Sequence, residues 1–306
     1  MDLRQLRHFA ALAENGSFVA AADVVGLSQP AFSRSIQALE HSLDCQLVDR
    51  SSRELRLTAQ GLLVLEHAQR LLLGAHKLRN ELVQFNGLSA GELRFGCGPT
   101  PAQALIPEAL ADFVRAYPGI QIDWEINHWD ALSKRLLEEQ LEFFVADARD
   151  FLGDPLYQVQ VLSPSIGCFF CNSGHPLLAR ASLTLSDVMQ FPLVAPRLSP
   201  SSRRAMARVS GRGDFRATVE CGQFDAILRI VERSQAIGVA TRQALQAPNE
   251  RGALVELRLD DLPELRFSYG IIRRAGKLVS PAAQAMIAAI VEADQRQGAS
   301  ASGASQ

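Results

Sequence analysis

An α + α/β chain is predicted, with a small helical head, one long helix and a larger α/β body. Three observations predict it. Up to about Phe85 the apolar residues recur at helical spacing, interrupted by short breaks and one brief two-stranded element. Within that stretch Val64, Ala68, Leu71, Ala75, Leu78, Leu82 and Phe85 follow an unbroken alternation of four and three residues. From Glu92 onward, short β-rich runs alternate with amphipathic stretches. The predicted divisions are 1–58 for the head, 59–88 for the long helix and 89–297 for the body. Residues 298–306, rich in Gly, Ala and Ser, are expected to form a disordered tail.

Composition sets the bounds. The 306 residues are 47% hydrophobic and 21% charged, as in ordinary globular proteins, which excludes wholesale disorder and collagen-like structure. No run approaches the roughly 20 apolar residues of a bilayer span. The opening residues Met1–Gln5 lack the basic-then-apolar pattern of a secretory signal, so no membrane partner and a cytoplasmic location are expected. Five cysteines, an odd number at low density, fit a reducing interior. The net charge of −2 speaks against a phosphate-binding partner, and residues 1–90 are neutral, with nine basic and nine acidic side chains. Local charge placement is the sharper test.

The head reads in order. Leu3–Glu14 forms a first helix, with Leu6, Phe9, Ala10 and Ala13 on one face. Ser17 is placed to cap a second, Phe18–Val25. Gly26 sits where a helix end favours positive φ, and Ser28 stands at the next N-cap. Two helices joined by so short a glycine-containing turn make a helix-turn-helix, whose second helix enters the major groove. In that helix, Gln29 to about Leu43, an apolar stripe runs through Phe32, Ile36, Leu39 and Leu43. Gln29, Ser33 and Gln37 form the opposite ridge, flanked by Pro30 and Arg34. Such donors and acceptors at a helix start suit base edges and phosphates. Taken singly, each is equally an ordinary solvated residue. The following segment, Leu47–Thr58, reads as two short strands around a polar turn and brings Arg50, Arg53 and Arg56 within seven residues. Phosphate contacts need only such local charge.

At this point a family resemblance becomes specific. Ser17-Phe18, Ala20-Ala21-Ala22, Leu27 through Arg34, Leu39-Glu40, Leu47, Arg50, Leu57-Thr58 and Gly61 match, in order and spacing, the N-terminal signature of LysR-type transcriptional regulators. The chain resembles that family over nearly its whole length. The resemblance implies a winged helix-turn-helix that binds double-stranded DNA, with Ser28, Gln29, Pro30, Ser33, Arg34 and Gln37 approaching it. It assigns Arg50, Arg53 and Arg56 to the wing.

The long helix, Ala59 to about Asn86, would span roughly 40 Å at 1.5 Å per residue. Its heptad seam calls for a partner, and the simplest is a second copy. Packing against the first helix of the same head is the competing reading. In LysR-type proteins this helix dimerises, which implies a dimer, or a tetramer built from dimers, with paired reading heads about one DNA turn or a multiple apart.

The body shows no GxSxG, GxGxxG or Walker-type loop, and its histidines lack metal-ligand spacing. No enzyme, no metal and no cofactor are expected. Cys168-Phe169-Phe170-Cys171 is a lone CxxC within an apolar strand, where residues three apart face opposite ways. With Cys45, Cys97 and Cys221, these cysteines read as small core residues. A thiol-based redox sensor remains an alternative, as does a transport-type solute-binding module. The family resemblance implies a body like a periplasmic solute-binding protein, with lobe I over about 92–161 and 268–297 and lobe II over about 162–267. A small-molecule effector would sit between the lobes, at strand ends and helix starts. Thr100, His128, Trp129, Asp147, Ser199, Ser201, Gln223, Phe224 and Thr241 are its candidate contacts. Asn127 lies beside them. Asp147 disfavours a simple carboxylate ligand and favours a cationic or hydroxylated one, unless Arg149 restores positive charge.

Overall fold

A computed structural model describes residues 1–49, 55–85, 87–211, 213–246, 252–262 and 264–303. They form two compact units, Met1–Val83 and Gln84–Gln306.

The first unit opens with α1 (Leu3–Asn15), started by a capping box in which Asp2 accepts from the Gln5 amide and Gln5 from the Asp2 amide. Next comes α2 (Phe18–Val24), capped by Ser17. Gly26 turns the chain at φ 70°, as the helix end requires, into α3 (Gln29–Leu43). Ser28 holds the N-cap position of α3, but its hydroxyl makes no cap hydrogen bond. The wing strands β1 (Val48–Asp49) and β2 (Arg56–Leu57) pair antiparallel. Glu40 ties wing to helix by accepting from the amides of Leu47 at 2.9 Å and Val48 at 3.3 Å. Phe9, Leu12, Phe32, Ile36, Leu39 and Leu47 fill a core from which water is excluded.

The long helix α4 (Ala59–Phe85) corrects part of the expected seam. Ala68 is 1% exposed and Val64 packs beside it, both within the core of the head itself. The first turns of α4 therefore close their own unit, and for this reason the compact division falls near the helix end, after Val83. Ala75 is half-buried. Leu71, Leu78, Leu82 and Phe85 remain 50 to 75% exposed.

The second unit contains two α/β lobes. Lobe I carries β3 (Gly91–Cys97), α5 (Leu105–Ala116), β4 (Ile120–Ile126), α6 (Trp129–Leu137), β5 (Phe143–Asp147) and β6 (Tyr157–Val161). Lobe II follows as one insertion: β7 (Ser165–Asn172), α7 (Leu185–Val188), β8 (Leu193–Ala195), α8 (Pro200–Ser210), β9 (Val219–Glu220), α9 (Phe224–Glu232), β10 (Ile237–Thr241), α10 (Arg242–Gln246), β11 (Leu254–Leu257) and β12 (Arg266–Phe267). The chain then returns to lobe I as β13 (Tyr269–Arg274) and α11 (Pro281–Gly303).

The lobe I sheet runs β4-β3-β5-β13-β6, with β13 antiparallel to both neighbours. The lobe II sheet runs β11-β7-β10-β8-β9, with β12 added to β7. The connections follow from hydrophobic pattern. Strand β5 is buried at every position, as a strand covered on both faces must be. Helix α5 instead shows one apolar stripe, through Leu105, Ile106, Ala109 and Phe113, which it lays on α11 and the sheet. Gln84, 1% exposed, fixes the start of this unit by donating to the Glu92 carbonyl at 2.8 Å and accepting from the Ala282 amide at 2.9 Å.

The tail expectation is corrected for residues 298–303, which continue α11 as helix. Residues 304–306 lie outside the described part.

Candidate functional site

On α3, Phe32, Ile36 and Leu39 are fully buried, and that burial turns the opposite ridge outward. Ser28, Gln29, Pro30, Arg34 and Gln37 are exposed, and Ser33 is half-buried. Proline in the first turn sits where no backbone donor is lost. Arg56 lies exposed on β2. Arg50 and Arg53 lie outside the described residues.

In the second unit, a small cleft opens between the lobes. Its lining unites six of the nine expected effector contacts: Thr100, His128, Trp129, Asp147, Ser199 and Thr241. The other three stand elsewhere. Phe224 is 1% exposed in the lobe II core, because its position on α9 belongs to the stripe with Ile227 and Val231. Gln223, exposed at the N-cap of α9, accepts a contact from its own turn, the Cys221 thiol on its carbonyl at 3.6 Å. Ser201 faces Asp150. Thr100 precedes a 3-10 turn, Pro101–Gln103, rather than α5 itself, and its side chain hydrogen-bonds Tyr269.

Asp147, at the end of β5, is the best-satisfied polar group in the cleft. Its Oδ2 accepts from Ser199 Oγ at 2.7 Å, Ser202 Oγ at 2.7 Å and Arg149 Nη2 at 2.6 Å. Its Oδ1 accepts from Arg149 Nε at 2.9 Å and from the Arg149 amide at 3.2 Å. Burial pushes this carboxyl upward, but the hydrogen bonds from Arg149, Ser202 and Ser199 outweigh burial and hold it below the usual carboxylate range. Three residues on, Asp150 accepts from the Ser201 amide at 3.1 Å and the Ser201 hydroxyl at 2.7 Å. The N-terminal end of α8 thus holds two carboxylates of lobe I. Arg149 compensates Asp147 instead of adding free positive charge. Further along the cleft, Arg197 of lobe II pairs with Asp130 of lobe I at 3.4 Å.

Ser202, Arg197, Phe267 and Tyr269 also line the cleft and were not anticipated. The run Ser199-Pro200-Ser201-Ser202 at a helix start was a usable signal for Ser202. Phe267 and Tyr269 arrive on the returning crossover, which no local pattern marks. Burial raises the Tyr269 phenol, opposed by the hydrogen bond with Thr100.

The cysteines divide as a pleated strand requires. Cys168 packs in the core on one face of the lobe II sheet and Cys171 in the core on the other. All five are free thiols. Burial pushes Cys97 and Cys168 up to about 12 and Cys171 up to about 11. Among the described residues, no group of three or more His, Cys, Asp or Glu is arranged to hold a metal ion. Nor, among them, is any helix long and apolar enough to cross a membrane.

A helix-turn-helix head followed by a two-lobed binding body defines a transcriptional regulator with a ligand-responsive module. Residues 3–62 match the model of bacterial regulatory helix-turn-helix proteins of the lysR family, and residues 86–295 match the LysR substrate-binding domain. The chain belongs to the LysR family of transcriptional regulators. It is 44% identical over 298 residues to the SDS degradation transcriptional activation protein of Pseudomonas sp., covering 96% of this chain and 97% of the relative. It is 27% identical over 297 residues to the regulator GbpR of Azospirillum brasilense, covering 95% and 86%. Among solved structures, full-length CbnR in complex with its target DNA shares the fold at a TM-score of 0.70 and 22% identity, covering 97% of this chain and 99% of that one. Full-length OxyR from Pseudomonas aeruginosa shares it at 0.62 and 22%, covering 96% and 95%.

Proposed function

We propose that this chain is a cytoplasmic activator of genes for surfactant breakdown, reading DNA through α3 and the wing and responding to a small molecule held between the lobes. The 44% identity to the SDS degradation activator along nearly the full length of both chains carries the physiological part. The exposed ridge of α3 supports the DNA part: Gln29, Ser33, Arg34 and Gln37 reach base edges, and Ser28 and Pro30 contact the adjoining backbone. Arg50, Arg53 and Arg56 neutralise phosphates. The functional divisions are the head 1–58, the linker 59–88 and the effector module 89–297.

Self-association runs through the exposed part of α4. Leu71, Leu78, Leu82 and Phe85 would meet a second copy, with Val64 and Ala75 at the margin and Ala68 kept inside its own head. A dimer, or a tetramer of dimers, then presents paired heads to two half-sites. The effector module binds rather than catalyses, holding its ligand against Thr100, His128, Trp129 and Thr241.

The test is selection of DNA sequences by the full chain, followed by footprinting. Arg34→Ala is expected to lose about tenfold or more in affinity for the selected site while unfolding normally, as expected for loss of a good base contact. An unchanged footprint would remove α3 from the interface. Failure of the wild-type chain to select any sequence would overturn the DNA role.

A further inference from the structure

We propose that the interlobe cleft is built for an uncharged, hydroxyl-bearing ligand with an aliphatic body and excludes an anionic one, because Asp147 already occupies the anion-binding end of α8. This rests on the effector reading above and specifies its chemistry.

The charge balance of the cleft comes first. A helix N-terminus with serine hydroxyls would favour an anion. Here Ser199 and Ser202 spend their hydroxyl protons on Asp147 Oδ2, each at 2.7 Å, and Asp150 takes the Ser201 amide and hydroxyl. Arg149 is closed to a ligand carboxylate by its two-pronged pair with Asp147. A second anion entering the cleft would lose its hydration and find the donors at this end already bonded to Asp147 and Asp150. A cation gains little, since Arg149 neutralises Asp147 and Asp130 is matched by Arg197 at 3.4 Å.

The remaining chemistry is neutral. Pro99, Pro101, Leu198, Val239 and Phe267 give the lining its apolar character. Two ring nitrogens of lining residues, His128 Nδ1 and Trp129 Nε1, are buried with no partner. Buried polar atoms rarely stay unsatisfied, and these two are neighbours in sequence at the start of α6. An indole N–H can only donate, whereas an imidazole nitrogen takes either role. A ligand hydroxyl, both donor and acceptor, can serve either one, once its ring turns toward the cleft, without importing charge. A surfactant ester that loses its sulfate leaves such an alcohol, so this chemistry places the signal after ester cleavage rather than before it.

The experiment uses the full-length chain with four eight-carbon probes below their micelle concentrations: 1-octanol, octanoate, octyl sulfate and octylammonium. Both tryptophans of the chain, Trp124 and Trp129, lie in lobe I, and Trp129 lines the cleft, so indole fluorescence and thermal melting read the same event. Octanol is expected to change Trp129 fluorescence and raise Tm, binding about tenfold or more tighter than either anion, whose desolvated charge finds no free donor at the α8 end. In Asp147→Asn, which keeps the shape but frees Arg149 and the α8 serines, octanoate is expected to become a ligand. Octanoate, octyl sulfate or octylammonium binding the wild-type chain as well as octanol overturns the uncharged-ligand assignment while leaving an interlobe effector in place. Octanoate still rejected by a folded Asp147→Asn chain overturns the role given to Asp147. If none of the probes shifts either signal, the assignment is wrong, and DNA selection still judges the regulator independently.

Discussion

Asp147 and Ser199, 52 residues apart in the chain, share a buried hydrogen bond of 2.7 Å that joins the end of a lobe I strand to the N-cap of a lobe II helix. Ser199 is doubly used, since its Oγ also accepts from the Ser202 amide at 3.1 Å as the helix cap. The same atom thus starts α8 and fastens it to the opposite lobe. Opening the cleft would separate these partners, so an effector must compensate for whatever it displaces.

The first prediction concerns acid. The native Asp147 carboxyl titrates below its ordinary value. Its contribution to stability is therefore complete above the unfolded pKa of about 3.9 and is lost as pH falls through the depressed native value. Urea unfolding followed by tryptophan fluorescence should show wild-type stability declining through this window. Asp147→Asn should show a shallower decline. Parallel curves for the two chains would mean that the carboxylate is not held as described.

The second concerns the head. A Cβ added at Gly61, in the first turn of α4, would lie 2.1 Å from the Leu47 carbonyl oxygen. That oxygen is backbone and already accepts the Thr58 amide at 3.0 Å, so it cannot swing aside. Gly61→Ala should cost about 1–3 kcal/mol by overpacking and lower the melting temperature of the head. A melting curve identical to wild type would show that α4 can move away from the wing at no cost.

Thiol reactivity gives a third. With Cys168 and Cys171 raised to about 12 and about 11 by burial, little thiolate exists at neutral pH. Mass-spectrometric mapping of iodoacetamide adducts should find Cys45 and Cys221, both half-buried, labelled ahead of Cys97, Cys168 and Cys171. Rapid labelling of Cys168 or Cys171 in the native chain would revive the redox-sensing alternative.

The elements that proved most legible were those with a period or a cap. Strands Ile120–Ile126, Phe143–Asp147 and Leu193–Ala195 coincide with short β-rich runs of the sequence, and α3 spans Gln29–Leu43 because its stripe and first-turn proline mark both ends. Helix starts are less marked: α5 begins at Leu105 and α6 at Trp129, and neither N-cap residue supplies a side-chain cap hydrogen bond. The heptad of α4 is apolar throughout but does not by itself distinguish self-packing from pairing. Ala68 satisfies both patterns, and only its burial in the head decides. The site was legible by position and not by bonding. Asp147 and Ser199 were both at the cleft, yet nothing local in either segment indicates that they bond each other, because that contact exists only once two lobes have closed. Phe224 failed for a simpler reason: a loop-to-helix junction looks alike whether its first side chain points to the cleft or to the core.

The position of β13 also governs the order in which the chain can become structured. It lies between β5 and β6, so until residues 269–274 emerge from the ribosome those two strands have no edge to share. Lobe II is contiguous and is synthesised in full before that moment, whereas lobe I waits for nearly the last stretch of the chain. In order of synthesis, every strand of lobe II is available before the last strand and helix of the lobe that contains it.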